Sequence, residues 1–170
     1  MGALDLEVTV NAEAFKVISV FDGCIDKRGS NVAEYVRTRD LKHIRIVESE
    51  EEKPWWFFLR AIDDQLAKRL KRKSLDDVEL LFEEAFRLAL DGVQNLTYKD
   101  GATGKRRPLI PRWHDQTGLP RRLTDETVER IPPPIRVELG LVALQRCLLS
   151  DDIEKNSSAH TPSTSSKEQA

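Results

Sequence analysis

In LDLEVTV, residues 4–10, Leu4, Leu6, Val8 and Val10 alternate with Asp5, Glu7 and Thr9. A period of two is the pattern of a half-buried strand. AEAFKVISVF, 12–21, carries two signals: its β-branched residues favour a strand, its Ala and Glu start a helix. LKHIRIVES, from Leu41, alternates again, SEEEK forms a charged turn, and PWWFFLRAI runs on to Ile62. The expectation is a hairpin over 41–62.

Beyond Ile62 the period lengthens to three and four. DDQLAKRLKRK, 63–73, predicts a short basic helix with Leu66 and Leu70 inward. SLDDVELLFEEAFRLALDG, 74–92, predicts the strongest helix. Ser74 is the expected N-cap, Asp76 and Asp77 suit the first turn, and Gly92 is the expected stop. Leu75, Val78, Phe82, Ala85 and Ala89 share its inner face. Pro132 to Pro134 suit a helix start. Behind them Ile135, Leu139 and Val142 form one stripe, with Leu141, Leu144 and Leu148 beside it. Strands first and helices later predict an α+β fold, a small N-terminal antiparallel sheet packed with C-terminal helices.

The aromatic run needs its own account. In a strand, Trp55, Phe57 and Leu59 face one way, and Trp56, Phe58 and Arg60 the other. The first face continues into Leu59 and is the expected core. The second ends at Arg60, which makes Trp56 and Phe58 candidate partner contacts. A strand apolar on both sides calls for cover on both sides, from a helix, a second copy or a partner strand taken up at a sheet edge. A protein partner or a homo-oligomer follows as the expectation.

Residues 98–122, YKDGATGKRRPLIPRWHDQTGLPRR, have no apolar period and predict a long loop. NSSAHTPSTSSKEQA, 156–170, has no large apolar residue and predicts a disordered tail. The organisation is therefore one domain over 1–155 and a tail over 156–170.

Composition narrows the picture slightly. The chain has 170 residues, 39% of them hydrophobic, and a net charge of -2. That charge creates no global field for nucleic acid or membrane. No apolar run approaches the roughly 18 residues of a membrane span, and the N-terminus lacks the basic start of a signal peptide. Cys24 and Cys147 form no C-x-x-C and are expected as reduced, buried small hydrophobes in a cytoplasmic protein.

The loop holds the strongest candidate chemistry. Lys99, Lys105, Arg106, Arg107, Arg112, Arg121 and Arg122 surround Trp113. Cations interleaved with an aromatic can bind phosphates and stack on bases, or Trp113 can anchor a protein contact. The alternative is a solvated loop with Trp113 against the core. DGATGKRR lacks the spacing and the hydroxyl of a phosphate loop. Lys68, Arg69, Lys71, Arg72 and Lys73 could bind phosphates, but as the outer face of an amphipathic helix they need no such explanation. His43, His114 and His160 form no metal motif, and neither WHD nor the pair Cys24 and His114 is arranged by spacing for catalysis. Neither a cofactor nor a metal is implied, and the expectation is not an enzyme.

WWFFLRAI followed by helices, DGVQNL, LTDETVERIPPPIRVELG and LLSDDIEKN, spread over 55–156, resemble small tailed-phage morphogenesis proteins. These are tail assembly chaperones or tail-cassette accessory proteins. The N-terminal strands and KRRPLIPRWHDQTGLPRR depart from their compact pattern. The resemblance implies a non-enzymatic assembly factor or virion-associated structural protein that holds aggregation-prone tail components. The alternative from the basic loop is a nucleic-acid-binding accessory protein.

Overall fold

A computed structural model of the chain describes residues 14–146, apart from 75, 116 and 119. The expected strand at 4–10, the tail at 156–170 and Cys147 lie outside the described residues. The fold is α+β, with small antiparallel sheets and helices.

The ambiguous segment resolves as a strand, β1, Phe15–Ile18. It pairs antiparallel with β2, Trp56–Leu59, which pairs antiparallel with β3, Leu90–Gln94. The order β1-β2-β3 puts the aromatic strand in the centre. A partner strand therefore cannot be added at β2, because both of its sides are already hydrogen-bonded within the chain.

The hairpin over 41–62 is corrected. Leu41–His43 is a 3-10 turn, with the Asp40 side chain accepting from the Lys42 N–H. Local Asp capping competes here with the strand pattern. Ile46 instead bridges Ile25, with the Val47 N–H donating to Cys24 O at 2.8 Å. Between the two lies α1, Val32–Thr38, which starts at an Asn31 cap and ends on Arg39 in the left-handed region. No sequence expectation covered it.

α2, Asp64–Lys73, fits its expected span, and Asp63 caps it. α3, Val78–Ala89, starts later than expected because Asp77 is its N-cap, while Ser74 closes α2. Asp caps a helix as well as Ser does, and here the later site wins. Gly92 is no helix stop; it pairs with Phe58 inside β3. The Arg60 N–H reaches Ala89 O at 2.8 Å and so holds the helix end beside β2.

The loop over 98–122 proves to be mostly two small hairpins. β4, Thr97–Lys99, pairs with β5, Arg106–Pro108, and β6, Trp113–His114, pairs with β7, Arg122–Leu123. Strands of two or three residues are too short to show a period. α4, Asp125–Glu129, follows, capped by Thr124, and then α5 over 133–146.

The main core joins Val17, Phe57, Leu59, Phe86, Leu90 and Leu139, with Trp55 packed at its margin. Phe57 and Leu59 are fully buried, as the core-face expectation requires. A second, smaller cluster holds Ile18, Ile25 and Tyr35, and Trp56 packs against it. The Phe57 side of the strand is therefore core, and on the other side Trp56 packs on the second cluster while Phe58 stays half-buried. Side chains also occupy the sheet edges. The Tyr35 hydroxyl accepts from Ile18 N–H at 3.1 Å and donates to Ile18 O at 2.7 Å. On the other edge the Trp113 indole N–H donates to Leu90 O at 3.1 Å. Such contacts blunt the strand-adding capacity of an edge.

Candidate binding groove

The turn after β1 opens a groove of about 630 Å³. It is lined from three stretches of chain, with Phe21 and Cys24 from the first, Glu51 to Lys53 and Trp55 from the second, Asn95, Thr97 and Arg106 from the third, and Ile135 besides. The volume suits a peptide side chain or a small molecule.

The polar groups at its base are engaged in building it. Asp22 accepts from the Cys24 N–H at 2.8 Å and from the Trp55 N–H at 2.7 Å. That carboxylate ties the turn to the start of β2. Ser19 Oγ accepts from the Phe21 N–H at 3.1 Å. Asn95, in the left-handed region at φ 69, donates through its side chain to Pro54 O. Asn tolerates that conformation better than most residues.

Burial, then the neighbouring Asp22 carboxylate, push the Cys24 thiol above its ordinary value. It is therefore a protonated thiol at neutral pH, a poor nucleophile. Among the described residues no histidine lines the groove. His43 sits in the 3-10 turn and His114 in β6. What remains for a ligand is apolar wall and rim charge. Phe21 is 63% exposed, and Glu51, Glu52, Lys53 and Arg106 line the same groove.

The residues expected to bind a partner lie elsewhere. Trp56 is half-buried on the second cluster, with Lys16 Nζ 3.9 Å from its ring centre. Phe58 is half-buried opposite Gly92. Trp113 is half-buried under Arg121, at 4.2 Å, with its indole N–H engaged. The basic loop residues are dispersed as well. Arg107 pairs with Asp100 at 3.1 Å, Arg121 with Asp91 at 2.7 Å and Arg122 with Glu84 at 2.6 Å. Lys105, Arg106 and Arg112 are all exposed; of these six cations, Arg106 alone lines the groove.

Phe21, Asp22 and Cys24 carried no signal of a site in the sequence. FDGC is a turn motif, and only the return of residues 49–55 and 95–106 to the same place makes it a wall. Among the described residues no cluster of three or more His, Cys, Asp or Glu side chains could hold a metal ion. No helix among them is long and apolar enough to cross a membrane. Comparison with protein-family models, curated proteins and solved structures returns no match.

Proposed function

We propose that this chain is a non-enzymatic, protein-binding assembly factor or virion-associated structural protein. In the tailed-phage setting that the sequence resembles, the role is that of a tail assembly chaperone acting in the host cytoplasm. The observation that carries the reading is the groove itself. Its base polar groups are consumed by backbone bonds, its thiol is protonated, and its exposed anchor is an aromatic, Phe21. Aromatic anchors at a concave site supply binding energy to protein partners. The mixed rim charges of Glu51, Glu52, Lys53 and Arg106 suit a peptide with charges of both signs.

The nucleic-acid reading of the loop loses three of its seven cations, Arg107, Arg121 and Arg122, to intramolecular carboxylates. A paired cation releases fewer counterions on meeting phosphate.

The test is co-expression with an aggregation-prone phage tail component. The chain should keep that component in the soluble fraction as a complex of fixed stoichiometry. Phe21→Glu should leave the melting temperature unchanged, because Phe21 is exposed, yet weaken the complex by about thirtyfold, the loss of one interface hot spot. Equal solubilisation by the Phe21→Glu variant would remove the groove from the mechanism.

A further inference from the structure

The outer face of α2 carries a denser set of available cations than the loop does. Arg69, Lys71, Arg72 and Lys73 are exposed, and among the described residues none of the four enters an ion pair. Lys68, beside them, pairs with Asp64 at 2.9 Å. Meanwhile Ala67 and Leu70 are buried and Leu66 packs on the core, so the helix has spent its apolar residues inward. The exposed positions from Asp64 to Lys73 are all polar or charged.

We infer that this face of α2 binds the phosphate backbone of nucleic acid. Three physical points favour that partner. The cations recur at 69, 72 and 73, which share one side of a helix, so they can meet one phosphate strand together. Their side chains are unspent, unlike those of Arg107, Arg121 and Arg122. A protein interface would centre on aromatic or apolar residues and be poor in lysine. This face has neither an aromatic nor an apolar exposed residue. The same lack counts against insertion at a membrane surface, where an amphipathic helix turns its apolar side to lipid. Phosphate contact needs only positioned charge and carries no sequence preference. The net charge of -2 confines the attraction to this face and makes it local. The face shares no residue with the groove, so the two proposals stand or fall separately.

The experiment is polarisation of a labelled mixed-sequence duplex of about 30 base pairs, titrated with the full chain at 50 to 200 mM NaCl. If four cations meet phosphates, log K should fall against log salt with a slope of about -3 to -4. R69Q/R72Q/K73Q should cut affinity at the lowest salt at least tenfold and flatten the slope by about 3, with an unchanged melting temperature. K105Q, an exposed loop cation, should change neither. If the triple variant lost fold, R69Q alone should still flatten the slope by about 1. Absent binding at the lowest salt, or an unchanged slope in the α2 variants, would overturn the inference. So would tighter retention on anionic-lipid vesicles or on polyglutamate than on the duplex.

Discussion

Gly140 sets how closely two helices approach. A Cβ built there would lie 1.8 Å from Phe82 O and 2.6 Å from Phe82 C, both backbone atoms of α3. No rotamer change relieves a clash with backbone, so the helices would have to separate. Separation would open the layer formed by Phe86, Leu139 and Ala143, which belong to the same core. Gly140→Ala should therefore destabilise the chain by about 3 kcal/mol despite the better helix propensity of Ala. The melting temperature should drop by roughly 6–12 °C in thermal unfolding. An unchanged or raised value would mean that α5 slides without cost. Gly92 makes the opposite case, since a Cβ there would meet Phe58 Cδ2 at an ordinary 3.7 Å. Nothing in the sequence separates these two glycines; only the approach of a distant element does.

At the scale of elements, the sequence was legible where a period ran long enough. α2 and the stripe of Ile135, Leu139 and Val142 in α5 show their inner faces in the spacing. α3 does so for Phe82, Ala85 and Ala89, but Val78 at its start is exposed and Phe86, fully buried, lies off the expected face. The burial of Phe57 and Leu59 follows from alternation in the same way. The short hairpins and the 3-10 turn have no period, and their shape comes from local side-chain bonds. The β4–β5 turn is the plainest example. Asp100 Oδ1 accepts from the Ala102 N–H at 3.0 Å, and its other oxygen lies 3.1 Å from Arg107 Nε. The Ala102 N–H, and then the positive charge of Arg107, hold the Asp100 carboxyl below its ordinary 3.8. Because the folded value is the lower one, the stabilisation is fully present above the unfolded value. It is lost as pH falls through the folded value. The hairpin amides should thus keep their exchange protection down to about pH 4 and lose it in more acid solution. The Asp100 carboxyl resonance should titrate below 3.8. A midpoint at or above that value would show that the turn does not depend on the carboxylate.

Among the described residues, one buried ion pair joins the two hydrophobic clusters. Arg39, at the end of α1, lies 3.2 Å from Glu138 on α5, and both side chains are less than a tenth exposed. The same Glu138 oxygen accepts from the Val20 N–H at 2.9 Å. This constellation fastens the small cluster around Tyr35 to the main core, across 99 residues of chain. Neither the charge pattern nor the periodicity indicated it, because 99 residues of chain separate the partners. The pair is incompletely served: Arg39 Nε and Glu138 Oε1 have no hydrogen-bond partner among the described residues. Buried pairs of that kind contribute little net stability, yet breaking one side leaves a stranded charge. Arg39→Met should cost roughly 3–5 kcal/mol, since it strands the Glu138 carboxylate. Adding Glu138→Gln should recover most of that loss. The amide carbonyl can still accept from Val20 N–H, and the charge is gone. Denaturant unfolding of the wild type, both single variants and the double variant closes the cycle. A double variant as unstable as Arg39→Met would mean that the guanidinium stabilises by packing on the Tyr35 ring, 5.3 Å away, rather than by neutralising Glu138.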